Sequence, residues 1–270
     1  MRQLFLALSL SAAVWSAPQP KVLFAVHCEH GYFVIDPLVY LEKAGPRPVL
    51  SAQDGHQLGR QALKFCDRFY RKGSVYTLLC QGRNAGQVHV VDDTSARVLA
   101  RDMASGGSGA FGAAAAVAGT QPGRAWALAG NFSLQGSHQV STGDAGPALA
   151  ATKYRWKGKA RAELIVTDLD GDGRAERILT AYEKDRRAQN DADPVGAAFL
   201  LQDADGQTLW ERHDEEGVQE YSFVEQADLD GDGCDEIVLS RQYYEGSDYE
   251  ILQRRQGKWR SIFRGGGGGA

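Results

Sequence analysis

The sequence is short of the features on which most functional readings depend. Histidine occurs six times in 270 residues, and apart from His27 and His30 each one (His56, His89, His138, His213) stands alone. There is no G-x-S-x-G, no H-E-x-x-H and no G-x-x-x-x-G-K-[ST], which removes the common nucleophile-elbow, zinc-protease and nucleotide-phosphate signatures. A basic surplus is missing too: 30 Lys and Arg against 34 Asp and Glu leave a net charge of −4. Nucleic acid is thereby excluded as the main partner, because phosphate binding needs a concentrated basic surface. Beyond residue 17 no run is long and apolar enough for a membrane helix, so no membrane span is expected. H-C-E-H at 27–30 groups three potential zinc ligands, yet no second H-x-x-H or C-x-x-C completes a set. On a strand His27 and His30 point to opposite faces, and the segment reads as a strand end with a structural cysteine.

What is present is a globular composition, 43% hydrophobic and 24% charged, in a chain long enough for one large domain or two modest ones. Residues 1–17, MRQLFLALSLSAAVWSA, combine Arg2, a short apolar run and small residues at Ser16 and Ala17. This is the pattern of a secretory signal, with cleavage after Ser16 favoured over cleavage after Ala17, where Pro18 would follow. A secreted or periplasmic location and an oxidising environment are expected. The four cysteines, Cys28, Cys66, Cys80 and Cys234, allow three full pairings. Cys66 and Cys80 lie opposite each other if both arms of FCDRFYRKGSVYTLLC are strands, which makes this the preferred bridge. Leu58, Ala62, Phe65 and Phe69 also recur at helical spacing, so the first arm can equally be a helix. Cys28–Cys234 follows only by elimination.

The fold class expected is mainly β. Residues 18–150 carry the strand-like runs KVLFAV, GYFVIDPLVYL, SVYTLLC and QVHVVD, a short helix near 56–71, and a Gly/Ala-rich stretch at 104–119. Residues 151–264 contain a duplication, and 265–270 form a flexible Gly tail. Each copy reads as acidic loop, strand, connection, strand, tight turn, strand, with Trp210 or Trp259 in the last strand. YRWKGKA, with Trp156, is read as the closing strand of an earlier unit. Repeats at this spacing imply stacked antiparallel β units that share a core.

The loops themselves are TDLDGDGRAERIL from Thr167 and ADLDGDGCDEIVL from Ala227. Counted from the first Asp, positions 1, 3, 5 and 9 are Asp168, Asp170, Asp172 and Glu176, and again Asp228, Asp230, Asp232 and Glu236. Carboxylates at alternate positions of a tight loop converge on one point. Calcium takes six to eight oxygens at about 2.3–2.6 Å in irregular geometry and accepts a backbone carbonyl as one of them. Position 7, Arg174 or Cys234, would supply that carbonyl. Glycines at positions 4 and 6 permit backbone angles that a Cβ penalises. Two Ca2+ sites are therefore expected, and magnesium suits the irregular donor set less well.

The EF-hand begins in the same way but needs a bidentate Glu at position 12 and flanking helices. Position 12 is Leu179 in one copy and Leu239 in the other, and the flanks are strand-like. On these residues the region of about 151–264 resembles the FG-GAP/VCBS repeats of integrin-α-type β-propellers, whose hallmark is D-x-D-x-D-G-x-x-[D/E] followed by an apolar strand. DLDGDGCDEIVL matches closely; DLDGDGRAERIL matches apart from Arg177, which interrupts the strand. FGAAAAVAG at 111–119 with AWALAG at 125–130 is a degenerate echo without carboxylates. The resemblance implies a propeller-like or partial propeller arrangement, since 270 residues fall short of seven blades at this spacing. Two functions follow as expectations. One is a calcium-stabilised β-repeat protein that binds a protein or glycan partner. The other is a secreted hydrolase with its catalytic groups in the N-terminal half and the repeats as scaffold.

Overall fold

The computed structural model describes residues 21–29, 32–42, 45–49, 64–65, 67–80, 83–92, 97–101, 125–129, 141–184, 194–213 and 217–266. The expected signal segment, the Gly/Ala-rich stretch, His30, Cys66 and the last residues of the Gly tail lie outside these ranges.

The described chain is mainly β and forms three antiparallel sheets. Sheet A contains β1 (Lys21–Glu29), β2 (Tyr32–Glu42), β3 (Gly45–Pro48), β4 (Val75–Cys80), β5 (Arg83–Asp92), β6 (Arg97–Arg101) and β7 (Ala125–Ala129). Their order is β1-β7-β4-β5-β6-β2-β3, and β1 also pairs with β2. Sheet B holds β8 (Ser141–Thr142), β9 (Ala160–Thr167), β10 (Glu176–Lys184), β11 (Pro194–Gln202) and β12 (Thr208–His213), in the order β12-β11-β10-β9-β8. Sheet C is β13 (Glu220–Ala227), β14 (Glu236–Tyr243), β15 (Gly246–Arg255) and β16 (Lys258–Gly265) in sequence order. The duplication thus becomes two four-stranded meanders, β9–β12 and β13–β16, each with its acidic loop between the first and second strand. Among the described residues no closed propeller is shown.

Period-two alternation explains how the sheets stack. In β1, Val22, Phe24 and Val26 face a core of their own sheet, where they meet Phe65, Phe69 and Tyr70. Residues 64–65 and 67–69 are helical, so the first arm of FCDRFYRKGSVYTLLC takes the helical alternative and puts Phe65 and Phe69 inside. Tyr70 and Tyr76 donate from their hydroxyls to the Ile35 and Phe69 carbonyls. Leu23 of β1 faces the other way and joins Leu38, Val39 and Leu79 against Val224, Ala227, Val238, Ile251 and Phe263 of sheet C. The opposite face of sheet C, with Tyr221, Phe223, Ile237, Leu239 and Leu252, packs on Ile165, Ile178, Phe199 and Leu201 of sheet B. Sheet C is consequently covered on both faces, and β14 runs buried through six consecutive residues from Glu236 to Arg241.

Sheet B has a different outer cover. Helix α1 (Ala145–Ala151) sets Ala148 on Leu164, Leu179 and Leu200. Its N-terminus is capped by Asp144, whose side chain accepts from the Gly146 amide at 3.0 Å. After the helix, YRWKGK does not form the expected closing strand. Trp156 Nε1 donates to Thr152 Oγ1 at 3.0 Å, and Tyr154 stacks edge-on against it. The Tyr154 ring lies where a Cβ on Gly196 would stand, so glycine there makes room for the chain to fold back over β11.

Charged groups also tie the sheets. Glu250 on β15 is fully buried and pairs with Arg264 on β16 at 3.2 Å and with Arg212 on β12 at 3.6 Å. Arg241 grips Asp248 through Nε and Nη2 at 2.7 and 2.5 Å, directly across the β14–β15 ladder.

Candidate metal centres

In both loops the first Asp organises the backbone. Asp168 Oδ1 accepts from the Gly171 and Asp172 amides at 2.8 and 3.2 Å, and its Oδ2 from Gly173 at 2.9 Å. Asp228 does the same with Gly231, Asp232 and Gly233 at 2.7, 3.0 and 3.0 Å. Amides can aim inward like this because the glycines take left-handed angles, with φ of 72° and 84° at Gly171 and Gly173 and 88° and 90° at Gly231 and Gly233. The Glu at position 9 then closes each loop: Glu176 Oε2 accepts from the Leu169 amide at 2.8 Å, and Glu236 Oε2 from Leu229 at 2.7 Å.

Two carboxylate triads result, Asp168–Asp170–Glu176 and Asp228–Asp230–Glu236. In each, one oxygen from every member lies within 4.8 Å of the others. Asp172 and Asp232, expected as ligands at position 5, fall outside these triads. Their Oδ1 atoms turn back to accept from the Arg174 and Cys234 amides at 2.7 and 2.9 Å. The Arg174 side chain leaves the loop and meets Asp205 at 2.6 Å, an exposed pair. Cys234 is a free, half-buried thiol, which removes the expected Cys28–Cys234 bridge. Burial pushes that thiol up to about 12, so in the metal-free protein it stays protonated at neutral pH.

The triads fit a hard cation. Asp170 Oδ1 is shut off from solvent and has no hydrogen-bond partner, an oxygen left over by the protein's own bonding. Carboxylates grouped in threes, buried or half-buried except for the exposed Asp230, are eased by a cation or by taking up a proton. Burial, with the neighbouring acids, holds Glu176 and Asp230 above the ordinary carboxylate range. For Glu236 burial is again the main cause, Gln253 opposes it, Asp230 adds to it, and the carboxyl is pushed up to about 8.

A pH dependence follows with a definite sign. Glu236 normally titrates near 4.5, so in the metal-free protein the fold favours its protonated form. That contribution is complete below the unfolded value and is lost as the pH rises through about 8. Chelated protein is expected to melt lower at about pH 8.5 than at about pH 5.5, by the equivalent of a few kcal/mol, and Glu236→Gln should flatten the slope. A flat profile in the parent, or an unchanged slope in the variant, would contradict the assignment. A bound divalent ion reverses the trend, because it displaces the proton and binds more tightly as the pH rises.

Residues outside the motif complete the centres. Gln226, fully buried on β13, donates from Nε2 to Thr167 Oγ1 at 2.8 Å and to Asp235 Oδ2 at 3.1 Å. The Asp235 amide donates to the Leu169 carbonyl at 2.7 Å, so the two loops are hydrogen-bonded to each other. On β15, Gln253 Nε2 donates to Asp230 Oδ2 at 2.7 Å and Glu236 Oε1 at 2.9 Å, while Arg254 pairs with Asp170 of the first loop. The only local sign of these residues is a polar group interrupting an apolar strand, as Gln226 does in SFVEQA and Gln253 after YEIL. Beside the second triad a cleft of about 410 Å³ opens against sheet A, lined by Leu41, Pro46, Leu229, Asp230, Glu236 and Gln253 among others.

No family model matches the chain, and neither do curated proteins or solved structures. Among the described residues no helix is long and apolar enough to cross a membrane.

Proposed function

We propose that this chain is a secreted or periplasmic calcium-binding β-repeat protein whose ions are structural and whose sheets serve as a rigid module for binding a protein or glycan partner. The observation that carries the reading is the same carboxylate triad built twice, from the same loop positions, each between antiparallel strands. Calcium suits the site better than magnesium because the donors are irregular and a carbonyl at Arg174 or Cys234 can complete them. The strand–loop–strand setting and the face-to-face packing of the two meanders support the FG-GAP/VCBS resemblance and a partial-propeller reading of residues 151–264.

Extracellular modules bind calcium at roughly 10⁻⁴–10⁻³ M. A ligand at one to ten times its dissociation constant adds about 0.4–1.4 kcal/mol per site. Thermal melting in about 1 mM Ca2+ should therefore exceed melting in chelator by a few degrees, and the double variant Asp170→Asn/Asp230→Asn should lose that response. Parent protein that melts identically in both conditions would sink the calcium assignment.

A further inference from the structure

Gln253 and Arg254 are neighbours on β15, so their side chains leave opposite faces of the strand. Gln253 places a neutral amide on the second triad, bonded to Asp230 and Glu236. Arg254 crosses to the first triad and sets a guanidinium on Asp170 Oδ2, leaving the unpartnered Oδ1 of the same carboxylate for an ion. One strand thus gives two near-identical loops different neighbours: a guanidinium in direct contact with a carboxylate of the first, and at the second an amide, behind which Arg255 bonds Gln253 Oε1.

We propose that Arg254 grades the two sites, making the first-loop site the weaker so that the second-loop site fills first. The inference rests on the cation reading above and goes beyond it by assigning an order and a residue that sets it. An ion held among Asp168, Asp170 and Glu176 would lie about 5 Å from the guanidinium, and a divalent charge that close to a unit charge is repelled by roughly a factor of ten in affinity even at the dielectric constant of water. The pair is partly exposed, with Arg254 at 39% and Asp170 at 19%, so the water-like limit applies. Before loading, Arg254 supplies the first triad with a positive charge of its own. At the second triad the more deeply buried Glu236 takes hydrogen bonds from Gln253 and the Leu229 amide, and the positive charge of Arg255 reaches Asp230 from beyond Gln253, to which it bonds, instead of through a direct ion pair.

The test is calorimetric titration of the full chain with Ca2+ alone. Asp230→Asn isolates the first site and Asp170→Asn the second. The second site should bind severalfold more tightly, because Arg255 repels its ion from farther away than Arg254 repels the first. Arg254→Gln should tighten the first site by about tenfold and leave the second unchanged, and Arg254→Lys, which keeps the charge, should retain the parent's grading. Two equal sites in the parent, or a first site unmoved or weakened in Arg254→Gln, would overturn the proposal while leaving calcium binding intact. A parent that takes up no Ca2+ would overturn the cation reading, and this inference with it.

Discussion

Asp228→Ala is expected to be the most damaging single change in either acidic loop, and to remain so when calcium is chelated. The carboxylate is 6% exposed and receives three backbone amides, from Gly231, Asp232 and Gly233. Hydrogen bonds to charged groups contribute about 1.5–3 kcal/mol each. The amides sit on an exposed turn, so water recovers part of the loss, and removing one of four crowded acids relieves some repulsion. The remainder is about 3–4 kcal/mol, or roughly 6–16 °C in melting temperature for a chain of this size. The equivalent change at Asp168 should cost less, because that residue is less buried and Arg254 continues to neutralise its triad. Differential scanning calorimetry of both variants in chelator checks the ranking. If Asp228→Ala melts with the parent, the aspartate is a metal ligand alone and does not build the loop.

The second large effect is expected at Phe199. Its ring is fully buried on β11, 6.4 Å from Tyr221 of the neighbouring sheet, inside the core shared by sheets B and C. Phe→Ala in a packed core costs about 3–5 kcal/mol. Because Ile237, Leu239 and Leu252 lean on the same cluster, the loss should not stay within the first repeat. Native-state hydrogen exchange of Phe199→Ala should speed up for β14 amides along with those of β10. Acceleration confined to sheet B would mean that the repeats are independently stable, and the shared core would have to be abandoned.

The local pattern of the sequence carried the repeat half well, and the reasons are visible at particular residues. The acidic loops are short-range objects: each amide that Asp168 or Asp228 receives comes from within five residues, so spacing alone exposes them. The strands after them are legible for the same reason. The difference between RILT and IVLS, which weakens the first copy's match at Arg177, has a tertiary cause. Sheet C is enclosed by sheets A and B, so Ile237 and Val238 both meet apolar neighbours, whereas Arg177 is half-buried near the Gly206 turn.

What the sequence hid is long-range. Arg254 finds Asp170 from 84 residues away, and Gln226 finds Thr167 from 59. Position 5 shows a local bond that spacing alone does not reveal: Asp172 and Asp232 each spend one oxygen on the amide two residues on and keep the other. Cys234 was paired by arithmetic, and only its surroundings show it as a lone thiol under a strand end. The β1–β7 pairing, Val22 to Ala129, has no local signature at all.

That pairing and the enclosure of sheet C bear on how the chain is made. Synthesis delivers sheet A before sheet C, yet Leu23, Leu38, Val39 and Leu79 on its outer face are covered by Val238, Ile251 and Phe263, which leave the ribosome later. A nascent chain therefore presents a row of uncovered apolar side chains until β16 is out. For that interval its solubility depends on whatever accompanies it, and the finished molecule carries no trace of the need.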